Sequence, residues 1–74
     1  MEDKLKKILA TILDVDSIEI NDDFSTQTSN KWDSLAHMNV IVAIEDEFQI
    51  EINDEFVTEL TSFKKIKDYL ANNK

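Results

Sequence analysis

The sequence predicts an all-α fold: a small four-helix bundle with three longer helices, one short third helix and a long loop between helices one and two. Three observations point there. The chain of 74 residues contains neither Gly nor Pro, which removes the usual residues of tight hairpins and leaves loops to Asn, Asp and Ser. Apolar residues recur at helical spacing near both ends of the chain. The central apolar stretch runs too long for an ordinary strand.

Taken in order, Leu5, Ile8, Leu9 and Ile12 fall at the i, i+3, i+4, i+7 spacing of one helical stripe, with Glu2 and Asp3 where the helix dipole favours negative charge. Helix one is expected from Glu2 to Asp14. From Val15 to Lys31 the periodicity dissolves into polar runs such as Asn21-Asp22-Asp23 and Ser25-Thr26-Gln27-Thr28-Ser29-Asn30. Ile18, Ile20 and Phe24 are its expected anchors onto the core, and a loop this long is often functional.

Asp33 to Phe48 contains Val40-Ile41-Val42-Ala43-Ile44, a β-branched run that reads equally as a buried strand. The acidic run Glu45-Asp46-Glu47 followed by Phe48 extends the segment past strand length and decides for helix. Leu35, Met38, Val42 and Phe48 then share a broad face, and apolar residues nearly all round imply two packed faces. Beyond Ile50 and Ile52, Asn53 or Asp54 can cap a short helix containing Phe56, Val57 and Leu60. Thr61 or Ser62 can cap a last helix carrying Phe63, Ile66, Tyr69 and Leu70, and the polar tail Asn72-Asn73-Lys74 is expected to fray. No repeat or internal boundary is visible, so residues 1–74 read as a single domain.

Composition excludes several functions. A chain this short buries too little surface to build both a core and a deep active site, which argues against an autonomous enzyme. Sixteen acidic residues against eight basic ones give a formal net charge of -8. Such a surface repels nucleic acid and steers basic partners. With no Cys, disulfides, thiolate metal sites and a cysteine nucleophile are excluded. The start Met1-Glu2-Asp3-Lys4 lacks a signal-peptide pattern and no apolar run reaches membrane-spanning length, so a cytoplasmic monomer is expected.

Chemistry concentrates at Trp32-Asp33-Ser34-Leu35, where the long loop meets the central helix. By itself Asp33 or Ser34 before an apolar helix is an ordinary N-cap. In its setting, between a long loop and an apolar helix ending in Glu45-Asp46-Glu47-Phe48, with Ile50-Glu51-Ile52 and two capped helices to follow, the segment resembles the acyl carrier protein family over nearly all of the chain. The family motif Asp-Ser-Leu matches Asp33-Ser34-Leu35 residue for residue. The resemblance implies an acyl-carrier type of bundle, with 4'-phosphopantetheine transferred from coenzyme A to Ser34 by a phosphopantetheinyl transferase. It implies that Asp33 helps that transferase hold its metal ion, that Leu35 and Met38 serve the core or meet partner enzymes, and that Glu45, Asp46 and Glu47 dock onto basic surfaces of acyl-loading, elongating or transferring enzymes. It also implies that the space among the helices can shelter part of a fatty acyl chain.

The physics suits the attachment role, since a phosphodiester at the start of a helix lies near free N–H groups and the positive end of the dipole. The sequence departs from the common family pattern in lacking Gly two positions before Asp33, in placing Ala36, His37 and Asn39 where fatty-acid-synthesis members carry acids, and in having Gln49 and Asn53 where Gly and Pro are usual. These departures look more like a specialised bacterial carrier for surface-glycan, lipid or secondary-metabolite assembly than a carrier of fatty acid synthesis.

Three other readings compete with this one. Ser34, His37 and Asp33 crowd together without an oxyanion hole or pocket, so a hydrolytic triad fails and His37 is expected to be exposed, touching a partner or water. Asp14-Val15-Asp16 opens no calcium loop, because Ile18, Glu19 and Ser25 occupy ligand or Gly positions. The rival is an acidic helical interaction module without a prosthetic group, which tolerates Ala at position 34.

Overall fold

A computed structural model describes residues 2–72. The helices are α1 (Glu2–Leu13), α2 (Ser34–Phe48), α3 (Asp54–Val57) and α4 (Phe63–Asn72), with one 3-10 turn at Ser17–Glu19. Among the described residues there is no strand, only a bridge between Ser25 and Ser62. No helix of these residues is long and apolar enough to cross a membrane. Asn73 and Lys74 of the expected fraying tail lie outside the described residues.

α1 buries Leu5, Leu9 and Leu13, while Ile8 and Ile12 flank them half-buried. The helix stops one residue before Asp14, which adopts a left-handed conformation (φ 55°). Val15 donates to the Ala10 carbonyl at 3.1 Å and closes the end. Ile20 and Phe24 anchor the long loop as expected, but Ile18 does not: it is 88% exposed. Ser17–Glu19 turns tightly, fastened by the Asp16 N–H donating to Glu19 Oε2 at 3.2 Å, and this turns Ile18 away from the core.

Trp32 is the largest fully buried side chain and stacks on Phe24 at 5.7 Å. Lys31 Nζ donates to the Asp14 carbonyl at 3.1 Å, which draws the two ends of the loop together. Thr26 N–H donates to Thr61 and Phe63 N–H to Phe24, both at 2.9 Å, so the loop is stapled to the start of α4. Ser62 is the side chain that caps α4, accepting from Lys65 N–H at 3.1 Å.

Two boundaries differ from expectation around α2 and α3. Asp33 stands outside α2 as its N-cap, and α3 ends at Val57, leaving Leu60 buried in the following loop. Nor does α2 pack on two faces. Val40, Ile41 and Ile44 are buried, whereas Leu35, Met38 and Val42 are 77%, 51% and 59% exposed. The three longer helices share one core, against which α2 packs one side.

Candidate functional site

The site begins with the cap of α2. Asp33 has extended backbone angles (φ -93°, ψ -176°), and its Oδ1 accepts from the Ala36 N–H at 2.8 Å, while its carbonyl accepts from His37 N–H at 2.8 Å. Such a cap stabilises a helix by about 1 kcal/mol. It consumes the third amide of the first turn and leaves those of Ser34 and Leu35 at the positive end of the helix.

Ser34 is the first residue of α2 and is exposed. It lines a depression together with Thr26, Trp32, Asp33, His37 and Thr61. A phosphodiester at this residue fits, because the position is exposed and stands at the N-terminal, positive end of α2. The dipole contributes about 0.3–1 kcal/mol there. The one histidine of the chain is engaged elsewhere, with Trp32 and the Val57 carbonyl.

His37 is half-buried, contrary to the exposed position expected from sequence. Its Nδ1 lies 3.0 Å from Trp32 Nε1, which donates to it, and its Nε2 lies 2.6 Å from the Val57 carbonyl oxygen. Sequence reasoning missed this arrangement. The available signal was an indole donor five positions before an imidazole at a helix start.

Downstream of Ser34, Leu35, Met38 and Val42 line one exposed face of α2 at successive i+3 and i+4 steps, and Asp46 continues the row. Asp46 and Glu47 are exposed, but Glu45 is half-buried and its Oε2 accepts from Ile52 N–H at 2.8 Å. The structure thus places Asp33, Ser34, Leu35, Met38 and Asp46 along one open side of α2 and its N-terminus, Glu47 at the groove between α1 and α2, and Glu45 within the connection to α3. Val42 is the member of the row to which sequence reasoning gave no role beyond packing, whereas Leu35 and Met38 were read as serving the core or meeting partners. Apolar residues all round α2 were too many for a single packed side, and that excess was the signal.

Comparison with known proteins follows the same lines. The family described as phosphopantetheine attachment site matches residues 3–70. An acyl carrier protein of Streptomyces coelicolor is 40% identical over 70 residues, covering 93% of this chain and 76% of that protein. A helical bundle with an open serine at the start of its central helix, matched over nearly its whole length, therefore belongs to the acyl carrier protein family, whose prosthetic group is 4'-phosphopantetheine.

Proposed function

We propose that Ser34 is the attachment residue and that residues 1–74 act as one carrier unit. The observation that carries this is the exposed Ser34 hydroxyl at the first position of α2, next to the capping Asp33. Transfer from coenzyme A forms the bond between Ser34 Oγ and phosphorus and releases adenosine bisphosphate. When bound, the arm supplies the thiol that this cysteine-free chain lacks. The chain itself is the substrate and partner of enzymes, not the catalyst: Asp33 fixes the first turn, Ser34 offers its oxygen, and the α2 surface presents the loaded carrier.

Asp33 carries a second duty in this reading, lending its carboxylate to the metal ion of the transferase. Leu35, Met38 and Val42 form the apolar part of the docking surface, and Asp46 and Glu47 supply its charge toward basic patches on partner enzymes. Glu45 belongs to that acidic end but is committed to the Ile52 amide. Ala36, His37 and Asn39 in the first turns of α2, in place of acids, favour a specialised bacterial pathway over fatty acid synthesis.

Intact mass tests the attachment. After incubation with coenzyme A, magnesium and a promiscuous transferase, the parent gains one phosphopantetheine and Ser34→Ala gains none. A folded parent left unmodified by several transferases overturns the assignment. The pathway reading predicts that a ketosynthase of fatty acid synthesis elongates the acylated carrier poorly, and elongation comparable to that on its own carrier would sink it.

A further inference from the structure

We propose that His37 is a specificity-determining residue that bars an acyl chain on the arm from the helical core, so that the cargo of this carrier is a short or polar acyl group held in solvent. The inference rests on attachment at Ser34.

His37 follows Ser34 by one helical turn, and both border the same depression. The chemistry of its two partners fixes the ring. An indole nitrogen only donates and a carbonyl only accepts, so Nδ1 takes the Trp32 proton and Nε2–H donates to Val57. Both nitrogens of one neutral tautomer are thereby used. Trp32 is 1% exposed and stacked on Phe24, and Val57 is the last residue of α3. One side chain thus pins the end of the long loop, the first turn of α2 and the end of α3 around the attachment residue.

The arm carries the acyl group on its far thiol, and in this proposal the way from there into the apolar interior is the junction that His37 holds, which borders the same depression as Ser34. To enter, an alkyl chain must part His37 from Trp32 and Val57. Methylene groups offer neither an acceptor to the buried indole N–H nor a donor to the carbonyl, so the displaced groups lose partners that the cargo does not replace. A chain kept outside leaves its methylenes in water, which disfavours long alkyl cargo and suits short or polar groups.

The test loads the parent and His37→Ala with acetyl and octanoyl phosphopantetheine from the corresponding coenzyme A thioesters. Thioester cleavage by hydroxylamine and melting temperature are then followed. In the parent the two forms are expected to be cleaved at equal rates and to melt together. In His37→Ala the octanoyl form is expected to be cleaved at least about threefold more slowly than the acetyl form, because an inserted chain reacts only after local opening. Slower cleavage of the parent octanoyl form, or a rise of about 4 °C or more in its melting temperature, overturns the proposal. An unchanged ratio in a folded His37→Ala overturns it as well. Should that variant not fold, the parent pair alone decides. Failure to load any arm on Ser34 instead overturns the attachment reading, which separates the two.

Discussion

Asp33 shows how one carboxylate can be read at two levels, and its roles separate by substitution. Its Oδ1 closes the first turn of α2 on Ala36 N–H, a contact worth about 1 kcal/mol. Asp33→Ala is expected to lower the melting temperature by about 4–8 °C for a domain of this size. Asp33→Asn keeps an acceptor in the same place, so its melting temperature should stay near the parent value. Modification by the transferase should nevertheless slow in both variants, because Asn cannot lend charge to a metal ion. An Asp33→Asn protein modified at the parental rate would confine the carboxylate to capping. The cap was legible in the sequence, as a short polar residue directly before an apolar helix. The bond from His37 to Val57 was not, because its acceptor is a backbone carbonyl twenty residues away, and no side-chain pattern encodes that oxygen.

Helices were legible as elements and less so at their ends. Periodicity located α1 and α4, since apolar residues at helical spacing have one economical arrangement around a core, whereas α2 was located by the length of its segment. The termini depend on backbone angles, and in a chain without Gly these fall on residues that pay for a left-handed turn. Asp14 and Gln49 both sit at φ 55°. Gln49 ends α2: the Ile50 N–H reaches back to the Glu45 carbonyl at 3.1 Å, and Gln49 Nε2 donates to the Asp46 carbonyl at 2.6 Å. A left-handed residue with a Cβ is disfavoured by about 1–2 kcal/mol, whereas an exposed side-chain hydrogen bond typically returns about 0.5–1.5 kcal/mol. The backbone effect is the larger, so Gln49→Gly is expected to raise the melting temperature by a few degrees, read by thermal unfolding monitored with circular dichroism. An unchanged or lower value would show that the Gln49 side-chain bond carries the turn. The two-faced packing expected of α2 failed for a different reason. Hydrophobicity identifies which residues avoid water in isolation, but the bundle fully buries only Val40, Ile41 and Ile44 of α2, with Ala36 and Phe48 half-buried against the core. The row Leu35, Met38 and Val42 is left exposed, an apolar surface that the bundle does not cover.

Charge acts on the molecule as a whole, and here two effects of salt oppose each other. The described ion pairs engage Lys31 with Asp14, Lys64 with Asp68, and Lys67 with both Glu2 and Asp22. Lys67 joins the start of α1 and the long loop to α4, at 3.0 and 2.8 Å, and lies 5.3 Å from the Phe63 ring centroid. Its hydrogen bond holds the Asp22 carboxyl below the ordinary aspartate range, and the two carboxylates raise the Lys67 ammonium. Salt weakens such contacts, yet exposed pairs are each worth little. Against them stands a net charge of -8, whose repulsion is spread over distances comparable to the screening length of about 8 Å at physiological ionic strength. Contacts at 3 Å lie well inside that length, whereas acids on opposite sides of the bundle lie outside it, so added salt removes more repulsion than attraction. The melting temperature is therefore expected to rise from low to moderate sodium chloride, and to rise further with millimolar magnesium at matched ionic strength, because a divalent ion concentrates at the acidic surface. A flat or falling melting curve series would mean that the lysine contacts, with Lys67 at their centre, outweigh the excess of acids in holding the bundle together.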